Sequence, residues 1–178
     1  AANATAGPDT ITFTVSGTIT LGSSLPNITD SLTINGIGRD VTISGNDLHR
    51  VLYVSSGKTL TIANLKIEHG YADTSGGAIF VYYGTLILSD VFLDENQASN
   101  YGGGIYVTSG SVNVSNSTFR ANSADDGGGA IEAYNSTMSI TKSTFINNSV
   151  PSGGGAIYNY HSSTLTLSNS TFSGNDAN

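Results

Sequence analysis

The sequence predicts an all-β chain wound as a right-handed parallel β-helix, a solenoid of about six to seven coils. The first observation behind this is a repeat of 26 residues. Ile79, Ile105, Ile131 and Ile157 each follow a Gly-Gly-Ala or Gly-Gly-Gly triplet and stand 26 apart. Leu93, Phe119, Phe145 and Phe172 form a second column, spaced 26, 26 and 27, and Asn96, Asn122, Asn148 and Asn175 form a third with the same spacing. The second observation is strict alternation of apolar and polar residues inside each repeat, the mark of strands with one buried face. A helical reading fails, because apolar residues recur at i, i+2 and each repeat carries Gly-Gly and Asn-Ser-Thr breakers. A sandwich would not need the same residue type at constant spacing. A parallel coil does, because each residue stacks on its counterpart about 4.8 Å away. Right-handedness is the overwhelming preference of parallel crossovers.

Each coil divides into three short strands. The first places Leu60, Leu86, Val112, Met138 and Leu165 inward, then Ile62, Leu88, Val114, Ile140 and Leu167 two residues later. A bend follows at Asn64, Asp90, Asn116, Lys142 and Asn169. The second strand turns Ile67, Leu93 and the three Phe inward. A six-residue loop after the Asn column ends in the Gly run, which supplies tight turns and close backbone approach. The Asn column is placed to bond from coil to coil. The third strand starts at the Gly pair with the Ile column inward. A phosphate-cradling Gly loop would need a following Lys and helix, and neither is present. The whole chain, residues 1–178, reads as one domain, with 1–50 as irregular N-terminal coils and 51–178 as regular ones. In the first part Ile11, Phe13, Val15, Ile19 and Leu21 alternate with Thr and Ser, as do Leu32-Thr33-Ile34 and Val41-Thr42-Ile43.

Composition narrows the function. Net charge is −7 with only six Lys and Arg, so the basic stripe of a nucleic-acid binder is missing and an anionic membrane surface is a poor partner. No apolar run approaches the roughly 20 residues of a membrane span, and this chain is not expected to insert. The absence of Cys excludes a disulfide scaffold. The opening Ala1-Ala2-Asn3-Ala4 has no charged n-region or apolar h-region and is not read as a signal peptide. Neither end carries an obvious polar cap, which makes end-to-end self-association of open strand edges an expectation.

Two motifs carry a family resemblance. Gly-Gly-Ala-Ile occurs at 76–79, 128–131 and 154–157, and Phe-x-x-Asn at 119–122, 145–148 and 172–175. Together they resemble the repeat of the polymorphic outer-membrane proteins, autotransporter-like surface adhesins with β-helical passengers. The opening, Ala1-Ala2-Asn3 through Gly7-Pro8-Asp9-Thr10-Ile11, resembles a related bacterial group. The resemblance implies an extracellular, cell-surface β-helix.

Several candidate sites emerge. If the Ile column points inward, Phe80, Tyr106, Glu132 and Tyr158 point outward, with Tyr82, Tyr134 and Tyr160 two residues on. Stacked aromatic faces and phenol hydroxyls suit a carbohydrate or a host-surface partner. Polysaccharide lyases and hydrolases on β-helices need clustered carboxylates and a Lys or Arg base. Asp125-Asp126 and Asp94-Glu95 lack a cation at a matching position, except that Arg120 stacks beside Asp94 in a surface ion-pair ladder. Only an acidic cluster around Glu132 would make the chain an enzyme. Thr59, Thr61, Thr85, Ser111, Thr137, Thr164 and Thr166 would form a flat hydroxyl array like that of ice-binding solenoids, broken by Ile87 and Asn113. Asp73, Asp125 and Asp126 lack the density of a calcium repeat, and His49, His69 and His161 lack metal-ligand spacing. No metal or cofactor is expected. Asn116, Asn135 and Asn169 belong to Asn-x-Ser/Thr sequons that the repeated bend itself accounts for. The expected function is a non-catalytic extracellular surface solenoid, either an adhesin-like module or a self-assembling fibre subunit. A polysaccharide-binding or polysaccharide-degrading protein is the alternative, and ice binding a minor one.

Overall fold

The computed structural model describes residues 7–177; the opening Ala1-Ala2-Asn3 and the final Asn178 lie outside them. No helix among the described residues is long and apolar enough to cross a membrane. The chain winds as stacked parallel coils. One face is crossed seven times, from Asp9–Thr12 through Leu32–Asn35, Thr59–Glu68, Thr85–Asp94, Ser111–Ser115 and Thr137–Thr141 to Thr164–Ser168. A second face carries Leu52–Val54, Ile79–Tyr82, Ile105–Thr108, Ile131–Tyr134 and Ile157–Tyr160.

The predicted columns are the observed registers. Leu32, Leu60, Leu86, Val112, Met138 and Leu165 pair in sequence. The Ile column of the second face pairs from Leu52 through Ile79, Ile105 and Ile131 to Ile157. From Leu60 to Phe145 these inward side chains are essentially fully buried. Each such aliphatic is worth roughly 1.5–3 kcal/mol against exposure. The bend is made by a left-handed backbone at Asn64, Asp90, Asn116, Lys142 and Asn169, with φ between 48° and 56°. Asn and Asp tolerate this conformation. The bend is gentle enough that Thr59–Glu68 and Thr85–Asp94 each pass through it as one strand of 10 residues.

Beyond the bend the rings of Phe119 and Phe145 stack at 4.6 Å, and those of Phe145 and Phe172 at 4.8 Å, nearly parallel. The Asn column is a buried ladder. The side-chain amide and backbone N–H of Asn96 both donate to Asn122 Oδ1, and Asn122 repeats this toward Asn148. Each side-chain amide also donates back to a carbonyl of the preceding coil, Ile67 for Asn96 and Leu93 for Asn122.

The loop predicted after the Asn column is partly strand. Tyr71–Ala72, Gln97–Tyr101, Ser123–Gly128, Ser149–Val150 and Asp176–Ala177 pair in parallel and form a third face. Its residues lack the β-branched bias of strands, because the coil is thin there. The inward positions are Ala72, Ala98, Ala124 and Val150, all buried. Across that gap the backbones touch: a β-carbon on Gly103 would overlap the Ser123 carbonyl and lie 2.6 Å from that of Gly129. The first coils step irregularly, as expected. Asp9 pairs with Leu32 and Leu32 with Leu60, steps of 23 and 28 residues.

The ion-pair ladder is more buried than a surface ladder. Asp94 is 2% exposed and holds Arg120 through two hydrogen bonds of 2.7 and 2.6 Å. Lys66 bridges Asp94 at 2.7 Å and Glu68 at 2.6 Å. Burial pushes the Asp94 carboxyl up, but hydrogen bonds from Arg120 and Lys66 outweigh it and hold the group below its ordinary range. Phe92 lies beneath both cations, 5.2 Å from Lys66 and 5.1 Å from Arg120.

Candidate aromatic and carboxylate cleft

The outward residues of the Ile-column face form an aromatic ladder with one interruption. Tyr53, Phe80, Tyr106, Glu132 and Tyr158 occupy one register column. Tyr53 and Phe80 stack at 5.1 Å, and Phe80 meets Tyr106 at 5.2 Å. The next position is Glu132, so the ladder breaks there and resumes at Tyr158. The break is a cleft of about 330 Å³. Tyr101 and Tyr106, stacked at 5.9 Å, wall one side. Tyr158 and Tyr160, stacked at 5.6 Å, wall the other with Tyr134. Glu132 and Asp126 supply the carboxyl groups, and among the described residues no Lys, Arg or His lines the cleft.

Two of the expectations for this face need correcting. Glu132 does point away from the bore, but it is only 3% exposed. Its two neighbours in the column and the third-face strand close over it, so it forms the cleft's floor. The face is also not one flat patch. Phe80 and Tyr82 lie outside the cleft, Phe80 packed between Tyr53 and Tyr106, and Tyr82 edge-on to Tyr83 at 4.7 Å. Sequence reasoning missed Tyr53 and Tyr101, and it singled out Asp126 only with Asp125, not as a neighbour of Glu132. Tyr53 precedes Phe80 in its column by 27 residues rather than 26. Tyr101 pairs with Asp126, a step of 25, across a register irregularity, so the 26-residue rule does not bring them together.

The local backbone explains how Glu132 is held. A Gly128 backbone N–H hydrogen-bonds its carboxylate, while Oε2 is buried with no hydrogen-bond partner. Gly127 lies directly against that oxygen at φ 75°, and a β-carbon there would overlap Oε2. Glycine is needed at this position on both counts. Burial raises the Glu132 pKa to about 7; the Gly128 N–H works against the rise and the Asp126 charge adds to it. Burial also raises the Tyr106 phenol, helped by the charge of Glu132. A carboxyl that is half neutral near pH 7 can donate as well as accept a hydrogen bond.

The other candidates fall into plain roles. The hydroxyl residues of the first face do align, Thr59 to Thr85 to Ser111 to Thr137 to Thr164, and Ser111 Oγ donates to Thr85 Oγ1 at 3.0 Å. Ile87 and Asn113 interrupt the neighbouring row, which runs from Thr10 through Thr33 and Thr61 and resumes at Ser139 and Thr166. Asp73 lines a shallow surface depression with Arg50. The His161 ring lies 5.1 Å from that of Tyr134, tilted against it, at the rim of the aromatic group. Among the described residues no three of His, Cys, Asp and Glu gather where they could hold a metal ion.

No curated protein and no solved structure matches the chain. A family description does: residues 30–178 match the right-handed β-helix region. That span includes all the regular coils and the whole cleft, and it supplies the hand of the winding. With its parallel coils and stacked columns, the chain belongs to the right-handed β-helix family.

Proposed function

We propose that the protein is a non-catalytic extracellular surface module that binds a saccharide in the cleft around Glu132. The observation that carries this reading is the floor of the cleft: a buried carboxyl with an unpartnered oxygen, set between two stacked pairs of tyrosines. Concave sites with aromatic walls and a few fixed polar groups hold small polar ligands. Sugar rings offer apolar faces to stack on tyrosine and hydroxyls to pair with carboxyl and phenol groups. The Gly-Gly-Ala-Ile and Phe-x-x-Asn repeats, similar to those of surface adhesins, support the extracellular placement. A glycan-binding screen tests it. At least one saccharide is expected to bind, and Tyr106→Ala and Tyr158→Ala should abolish binding while the β-sheet circular dichroism is kept. A screen without any binder would sink the proposal.

A hydrolase or lyase is the second reading, favoured by Asp126 beside Glu132. A carboxyl raised toward neutrality, as Glu132 is, beside a second carboxyl is the arrangement of a general acid and its partner. Glu132→Gln separates the two: an enzyme keeps binding and loses turnover, whereas a binding module shows no turnover at all. A fibre subunit is the third. The last described coil presents Leu167 and Phe172, 44% and 41% exposed, to whatever lies beyond it. A coil from a second copy would cover them as well as one of the same chain. Electron microscopy over a concentration series tests this, with dispersed particles counting against it.

A further inference from the structure

The cleft is a slot left by one missing ring. Tyr106 and Tyr158 are two coils apart in the column, hence about 10 Å apart at a strand spacing of about 4.8 Å. Glu132 sits between them and does not fill the space a ring would take. Its floor and edge are acidic, Glu132 below and Asp126 at the side, and among the described residues no Lys, Arg or His lines it. Glu132 is only 3% exposed and its Oε2 has no partner. A desolvated carboxylate without a counter-charge is costly, and a positive group brought by a ligand would relieve that cost.

The same ladder already holds a cation elsewhere. Toward the N-terminus the Arg50 guanidinium lies 5.2 Å from the Phe80 ring centre and 6.0 Å from that of Tyr53. There it donates to the Gly76 and Ser75 carbonyls. At the slot the rings are repeated, the carbonyl acceptors give way to two carboxyls, and the cation is the part left out. Aromatic faces around a carboxylate recognise ammonium groups. The net charge of −7 would also draw a cationic ligand toward the molecule.

We propose that the slot takes the ammonium group of an amino sugar, held by Glu132 and Asp126 between the rings of Tyr106 and Tyr158. This rests on reading the cleft as a saccharide site and names the class of sugar. The ammonium brings a positive charge and N–H donors, one of them for Glu132 Oε2, which has none, and the pyranose ring continues the stack in place of the missing side chain. A neutral sugar would offer the stack alone.

Isothermal titration with three probes tests the proposal: glucosamine oligomers with free amines, the same oligomers fully N-acetylated, and the same oligomers N-trimethylated. The free-amine form is expected to bind about ten-fold tighter than the N-acetylated form, with the trimethylated form, which keeps the charge and loses the N–H donors, in between. Glu132→Gln should bring all three within about two-fold, and Asp126→Asn, at an exposed position, should reduce the preference in part. Equal or tighter binding of the N-acetylated form overturns the inference and leaves the saccharide reading standing. Failure of every oligomer, together with an empty glycan screen, overturns both. A preference for the free amine that survives in both variants overturns the assignment to these carboxyls.

Discussion

Glu132 controls its own pH dependence because its surroundings favour the neutral form. Its pKa stands near 7 in the folded chain against 4.5 in the unfolded one. Below pH 4.5 both states hold the proton. Between 4.5 and 7 the unfolded chain releases a proton that the folded chain keeps, so stability falls as pH rises, by about 3 kcal/mol across the window. Above about 7 the loss is complete and the curve flattens. Urea denaturation of wild type and Glu132→Gln at pH 5 and pH 8 checks this. The variant should gain on wild type between the two pH values, and a constant difference would refute the shift. Gly127 makes the complementary test. Gly127→Ala adds a β-carbon at φ 75° against Oε2 and 3.1 Å from Tyr101. A loss of about 1–3 kcal/mol is expected from the strained backbone, and saccharide binding should fall as the carboxyl and Tyr101 are displaced.

At the scale of elements, three stacked columns keep the coils in register. The Asn ladder does so through hydrogen bonds. Asn122→Leu would strip an acceptor from the Asn96 N–H and a donor from the Leu93 carbonyl, both buried. Each orphaned group costs about 1–3 kcal/mol, so urea midpoints should fall by the equivalent of at least about 2 kcal/mol. The Phe column does so through packing. Phe145 is fully buried between Phe119 and Phe172. Phe145→Ala is expected to cost about 3–5 kcal/mol in the same measurement. The Asp94 junction does so through charge. Asp94→Asn should cost about 1.5–3 kcal/mol by weakening the charged hydrogen bonds of Arg120 and Lys66. Because Asp94 is held below its ordinary pKa, its share of stability is present above about pH 4 and is lost on acidification. That direction is opposite to Glu132.

For the molecule as a whole, each coil touches only its neighbours, so protection against unfolding should be graded along the axis. The first described coil leaves Val15 72% and Ile19 46% exposed, and the last leaves Leu167 and Phe172 open. Between them, residues from Leu60 to Phe145 close the bore. Amide hydrogen exchange read by mass spectrometry should show slowest exchange in Thr85–Asp94, Ser111–Ser115 and Thr137–Thr141, with faster exchange in Gly17–Thr20 and Thr171–Ser173. Uniform protection along the chain would mean that the solenoid unfolds as one cooperative unit.

The coil, its three inward columns, its bends and its Asn ladder were legible in the residues themselves. A solenoid repeats one environment at a fixed step, so the same residue type returns wherever the same neighbours return. Ile79 and Ile131, or Asn96 and Asn122, need no tertiary information to be matched. The ladder around Phe80, Tyr106, Glu132 and Tyr158 was legible for the same reason, as one outward column. What only the tertiary structure decided lies where the step is not 26. Tyr101 meets Asp126 across an irregular register, and Tyr53 joins the ladder 27 residues before Phe80. The burial of Glu132 follows from Gly127, Tyr101 and two neighbouring coils closing on a residue whose type and spacing place it on the outside. A periodic pattern specifies which way a side chain points; whether water reaches it depends on everything packed around it.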